Sequence, residues 1–141
     1  MLTAHAVPLA TLADGYGAPL AEYYLFPESA LLYIRWHGQL TAAAVIRGAM
    51  AAVELLKRHP YGRVLNDKRD TGGDWSEALP WLQYEWRPQA VTAGIRAIAY
   101  LLSPDLSAQF VSREFGEAMK SQIQVALFTS ETRARRWLQA Q

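Results

Sequence analysis

The chain has no cysteine, and that absence removes a block of chemistry at the outset. Disulfide staples, thiolate nucleophiles and cysteine-ligated zinc are all excluded. A chain without cysteine fits a reducing compartment, and the expected location is the cytoplasm. An excess of one charge is missing too: 14 Lys and Arg stand against 13 Asp and Glu, a formal net charge of +1. That balance lacks the field of a nucleic-acid binder, so no nucleic-acid partner is expected. No long apolar run occurs either. The most apolar stretch, residues 41–56, is interrupted by Arg47 and Glu54. It also falls short of the ~20 residues that a membrane span needs. The opening M-L-T-A-H-A-V-P-L-A has no basic region and is broken by Pro8, so it does not read as a targeting segment.

What is present suits a single domain. Of 141 residues, 51% are hydrophobic and 19% charged, enough apolar material for a core without staples. Residues 1–20 hold Pro8, Gly15, Gly17 and Pro19 and show no sustained period, so they read as an N-terminal arm. Residues 21–141 read as one α/β domain.

Within that domain, Glu22 to Phe26 and Leu31 to His37 are β-prone runs joined by P-E-S-A, a hairpin signal. Gly38 is expected to end the second strand. Thr41 can cap a helix whose buried stripe is Val45, Ile46, Ala49, Met50, Val53 and Leu56. Lys57, Arg58 and His59 suit its C-terminal end, and Pro60 and Gly62 stop it. A short strand follows at Arg63–Asp67.

Asp74-x-x-Glu77 has capping-box spacing for the next helix, which Pro88 should break or kink near Trp86. Ile95 to Leu102 reads as a central strand. Ser103-Pro104-Asp105 turns the chain into a helix with Phe110, Val111, Phe115, Ala118 and Met119 on its apolar face, and Gln124 to Phe128 is a last strand. The final helix, capped by Thr129 or Ser130, turns Ala134, Trp137 and Leu138 inward. The order is β-β-α-β-α-β-α-β-α: a mainly parallel five-stranded sheet with an antiparallel first strand.

The stretch from Arg63 to Trp86 stands out. A short strand ends in the charged burst D-K-R-D, passes Thr71-Gly72-Gly73, and enters a helix that carries tryptophans. Ligands and partners of open α/β sheets gather at the carboxyl ends of strands, so function is expected here.

Four stretches carry a family resemblance: Y-L-F-P-E-S-A-L-L-Y-I-R-W-H-G at the hairpin, N-D-K-R-D-T-G-G-D-W, the segment from Trp81 to Tyr100, and V-A-L-F-T-S-E-T-R-A-R-R-W-L. Over residues 22–138 the chain resembles the SpoIIAA-like group. That group includes the STAS domains of anti-sigma-factor antagonists, the Sec14-like lipid-binding domains and many uncharacterised small bacterial proteins. The resemblance implies a protein-interaction or regulatory module. It also makes Thr71, in Asp70-Thr71-Gly72, the positional counterpart of a phosphorylated serine or threonine near D-S-S-G. This chain departs from that motif in its single hydroxyl residue, its second glycine and its D-K-R-D burst. It also lacks the extra helices that build the Sec14-like lipid pocket.

The leading expectation is a non-enzymatic module that binds a protein partner, or a second copy, through Asp67, Arg69, Asp70 and Trp75. The alternative is a small apolar-ligand binder with Trp81, Phe110 and Phe115 lining a cavity between sheet and helices. A third reading is an enzyme using Asp67 or Asp70 as acid or base, which needs a perturbed carboxylate in a cleft. No catalytic residue, metal ligand or cofactor is assigned. Asp67, Asp70, Asp74 and Glu77 are interleaved with Lys68 and Arg69 and lack cation-loop spacing. His5, His37 and His59 are scattered, and no G-x-S-x-G occurs. Gly72-Gly73 reads as turn chemistry rather than an anion cradle, because Asp70 and Asp74 flank it.

Overall fold

The computed structural model describes residues 6–141. Six strands form one sheet in the spatial order β1-β2-β3-β4-β5-β6, identical to their order in sequence. They are β1 (Val7–Ala13), β2 (Pro19–Phe26), β3 (Leu31–Gln39), β4 (Arg63–Gly72), β5 (Ala97–Leu101) and β6 (Gln124–Phe128). β1, β2 and β3 pair antiparallel, and β3 to β6 pair in parallel. The mixed α/β sheet agrees with the sequence reading, with one more strand than the five expected. That strand, β1, lies in the stretch read as an arm. It pairs with β2 along Val7↔Leu25 to Ala13↔Pro19 and is mostly solvent-exposed, so its side chains show no alternation to read.

Every parallel connection moves to the next strand in space. Three crossover segments therefore share one face: α1 (Ala42–Arg58), a composite helix α2 over residues 76–92, and α3 (Leu106–Met119). Their core includes Ile34, Trp36, Val53, Val64, Ile98 and Phe115. The last helix, α4 (Glu131–Gln139), covers the opposite face, where Ala134 and Leu138 pack with Leu31, Tyr33, Leu65 and Leu101.

Local signals explain most boundaries. Thr41 Oγ1 accepts from Ala44 N at 3.1 Å, capping α1. Asp105 and Ser130 cap α3 and α4 through their side chains in the same way. Two stripe assignments change: Met50 and Phe110 are exposed, while Gly48 and Ala52 are buried in α1. The capping box at Asp74 does not form. Asp74 Oδ1 accepts from Ser76 N at 2.9 Å, one position short of Glu77, and Trp75 occupies the N-cap. α2 begins as a 3-10 turn (Ser76–Ala78), continues through Leu79–Trp81 and widens into a π turn at Leu82–Trp86. It closes as regular helix over Arg87–Thr92. The expected kink at Pro88 is thus a π turn. Proline offers no N–H to the preceding turn, and a widened turn re-pairs the carbonyls it leaves.

Candidate functional site

β4 is longer than its sequence suggests. It runs to Gly72, so the charged burst lies in the strand rather than in a loop. Its residues alternate across the sheet. Val64, Asn66 and Lys68 face the three-helix side, whereas Leu65 and Asp67 face α4. The pairing with β3 then slips: Arg35 stands opposite Asp67, but His37 stands opposite Asp70. The extra residue is a β-bulge at Lys68-Arg69, a device that re-aims side chains next to functional sites. Thr71 Oγ1 closes the bulge by donating to the Lys68 carbonyl at 2.8 Å.

On the three-helix side the bulge buries Lys68, which is 2% exposed. Its Nζ lies 3.8 Å from the centre of the Trp75 ring, 5.0 Å from Trp36 and 5.2 Å from Tyr100. No carboxylate among the described residues pairs with it. Burial pushes the Lys68 ammonium down to about 7. An effective burial penalty for an ion runs to several kcal/mol. A desolvated ammonium–ring contact returns about 2 kcal/mol. The lowered value means that the rings soften the penalty without cancelling it.

Lys68 also lines a cavity of about 40 Å³. Asn66 and Tyr100 from the sheet line it, with Ala52 from α1, Leu82 and Trp86 from the π turn, and Phe115 from α3. Asn66 Oδ1 accepts from Trp36 Nε1, and Trp86 Nε1 donates to the Ala49 carbonyl at 2.8 Å, so these walls are pinned. The indole N–H of Trp75 is buried without a partner among the described residues.

The α4 side carries a different network. Tyr33 Oη donates to Asp67 Oδ2 at 2.6 Å, and Arg69 grips the same carboxylate with Nε at 3.0 Å and Nη2 at 2.8 Å. Arg69 Nη2 also reaches Glu131 Oε1 at 3.1 Å. For Asp67, burial pushes its carboxyl up. The hydrogen bonds from Arg69 and Tyr33 more than offset it and hold the group below the usual carboxylate range. At the rim, Arg35 Nη2 pairs with Asp70 Oδ2 at 2.8 Å.

The residues singled out in sequence are therefore dispersed. Asp67 is buried, Arg69 and Asp70 are exposed at the rim, and Trp75 is fully buried within the three-helix core. Thr71 is buried with its hydroxyl engaged. Phe115 lines the cavity; Phe110 is 62% exposed, and Trp81 is only partly buried and does not line it. A 40 Å³ space holds a few heavy atoms, not an acyl chain. Gly73 N–H is not free for an outside anion, because it donates to Asp105 Oδ2 at 2.9 Å. Among the described residues no three His, Asp or Glu cluster to hold a metal, and no helix is long and apolar enough to cross a membrane.

Lys68, Asn66, Trp36 and Tyr100 lie together around this cavity, a grouping that the sequence reading did not single out. The available signal was the alternation Val64, Asn66, Lys68, which reads as one strand face only if the strand continues through the charges.

At the carboxyl end of the sheet, Leu106 and Phe110 stand one turn apart on α3, 78% and 62% exposed. With Asp74, Ser76, Ser107 and Val111 they line a shallow open depression beside the end of β4.

The family model described as SpoIIAA-like matches residues 31–139, most of the chain. No curated protein and no solved structure matches it.

Proposed function

The chain belongs to the SpoIIAA-like family, and we propose that it is a non-catalytic regulatory module of the STAS type that binds a protein partner at the carboxyl end of its sheet. The observation that carries this reading is the exposed pair Leu106 and Phe110 beside Asp74 and Ser76. Two large apolar side chains exposed side by side support a contact site here. The carboxylate of Asp74 at the same depression favours a partner segment with an apolar anchor next to a basic residue. Arg35, Arg69 and Asp70 form a separate charged rim at the end of the sheet. Thr71 enters this reading only through a partner or kinase that opens the bulge, since its hydroxyl is held inside.

A photo-crosslinking residue placed at Phe110, with a control at Met50, tests the surface in the native host. The expected result is one protein crosslinked reproducibly from position 110 and not from 50, mapped to a segment with apolar and basic residues. No position-specific crosslink, or a crosslink only to a second copy of this chain, overturns the partner-binding assignment.

A further inference from the structure

Two backbone irregularities flank the same interior space. The β-bulge at Lys68-Arg69 places Lys68 on its lining, and the π turn at Leu82–Trp86 supplies two of its walls. Bulges and π turns both concentrate at functional sites, because regular hydrogen bonding is given up to place particular side chains. The surface proposed at Leu106 and Phe110 uses neither irregularity.

The chemistry of the walls narrows the occupant. Ile34, Val45, Val64, Ile98 and Phe115 make the space apolar. The single charged group that lines it is Lys68, buried on every side and without a carboxylate partner among the described residues. Asn66 adds an amide next to it, fixed by the Trp36 indole. An occupant must therefore combine an anionic end for Nζ with a short apolar remainder for the aliphatic wall. The volume of about 40 Å³ limits it to a few heavy atoms.

We propose that the cavity beneath β4 is a binding site for a small monocarboxylate of acetate or propionate size, its carboxylate paired with Lys68 Nζ and its alkyl end against the apolar wall of α1 and β5. This site is separate from the surface proposed above, and either assignment stands without the other. Three rings stand around Nζ, and Lys68 lines the cavity. The preorganised donor and dry walls make the pairing stronger than it would be in water. Binding supplies the counter-ion that the fold withholds.

The test is calorimetric titration of the purified chain with sodium acetate and sodium propionate, against sodium chloride at matched ionic strength. Tryptophan fluorescence follows the same titrations, since Trp36 and Trp75 border Nζ. The expected result is saturable binding with Kd on the order of 0.1–1 mM, the range open to a ligand of four or five heavy atoms. Lys68→Met should abolish it, with folding confirmed by circular dichroism. Ala52→Val, which keeps the amine and narrows the space, should weaken it at least about tenfold. Absence of saturation up to about 50 mM carboxylate overturns the proposal. So does unchanged affinity in Lys68→Met or Ala52→Val, or equal saturation by chloride.

Discussion

The Nζ of Lys68 sits 3.8 Å from the centre of the Trp75 ring, a cation held by an aromatic face with no carboxylate among the described residues to balance it. Its neighbour in sequence, Asp67, points through the other side of the sheet to Tyr33 and Arg69. Two adjacent residues of opposite charge are thus separated by the strand that carries them.

The first prediction follows from the sign of the Lys68 shift. Burial lowers the folded-state pKa from 10.5 to about 7. Between those values the unfolded chain carries a proton that the folded chain lacks. Stability therefore rises with pH through this window, by up to about 1.4 kcal/mol per unit. Tyr100, the other titratable group at the cavity, is pushed up by burial and works in the opposite direction only near pH 10 and above. Urea unfolding from pH 6 to 9 should show the rise in the wild type and a flat profile in Lys68→Met. At pH 6 the variant should be the more stable by about 1–4 kcal/mol, as expected when a buried charge gives way to an apolar chain. A rise that persists in Lys68→Met places the titrating group elsewhere.

The second prediction concerns the opposite face. The folded-state pKa of Asp67 lies below the usual carboxylate value, so its stabilising effect is present above about pH 4 and is lost as pH falls through the folded value. Asp67→Asn should cost about 2–3 kcal/mol at pH 7, because Tyr33 and Arg69 lose a charge-assisted acceptor. The deficit should shrink toward pH 3. A double-mutant cycle with Tyr33→Phe should give a coupling of about 0.5–3 kcal/mol. Additive losses would mean that the 2.6 Å contact contributes nothing of its own.

The contrast between these two residues shows what the sequence can and cannot reveal. The helix caps at Thr41 and Ser130 are local chemistry and are legible. So are strands with strong apolar runs, such as Gln124–Phe128, whose limits agree with the structure. The family motifs lead to the right α/β architecture. β1 is not legible because an exposed edge strand with Ala and Pro leaves no periodic trace. Lys68 is not legible for another reason. A run of four charges reads as solvated loop, and only the tertiary bulge, with rings drawn from β3, β5 and the residue before α2, decides which charge goes inside. Phe110 errs in the opposite direction: its helical position matched the stripe, but α3 rotates it outward.

A third prediction separates two glycines that share a positive φ. Gly73 has φ +98° and Gly94 has φ +101°. Alanine at Gly94 meets open space, so its cost is the backbone conformation alone, about 1 kcal/mol. Alanine at Gly73 adds a Cβ 2.6 Å from the Leu40 carbonyl oxygen. Moving that backbone also disturbs the Gly73 N–H bond to Asp105, which caps α3. Gly73→Ala should therefore lose about 2–4 kcal/mol, clearly more than Gly94→Ala, in paired thermal denaturation. Equal losses would show that the Leu40 segment yields freely.

The last prediction sets intrinsic propensity against packing at Gly48, inside α1. Alanine is favoured over glycine in a helix interior by about 1 kcal/mol, so propensity alone makes Gly48→Ala stabilising. A Cβ at this position, however, overlaps the outer edge of the Trp36 ring. That ring is not free to retreat. Its Nε1 is bonded to Asn66 Oδ1, and its face lies 5.0 Å from Lys68 Nζ. The Gly48 carbonyl, meanwhile, accepts from Tyr23 Oη at 2.7 Å, which holds the helix against β2. Overpacking a pinned core costs about 1–3 kcal/mol, enough to outweigh the propensity gain. Gly48→Ala should therefore lower stability and alter near-ultraviolet circular dichroism as Trp36 shifts. A stabilised variant with an unchanged tryptophan signal would show that the ring moves aside at no cost, and that the wall around Lys68 is softer than its hydrogen bonds imply.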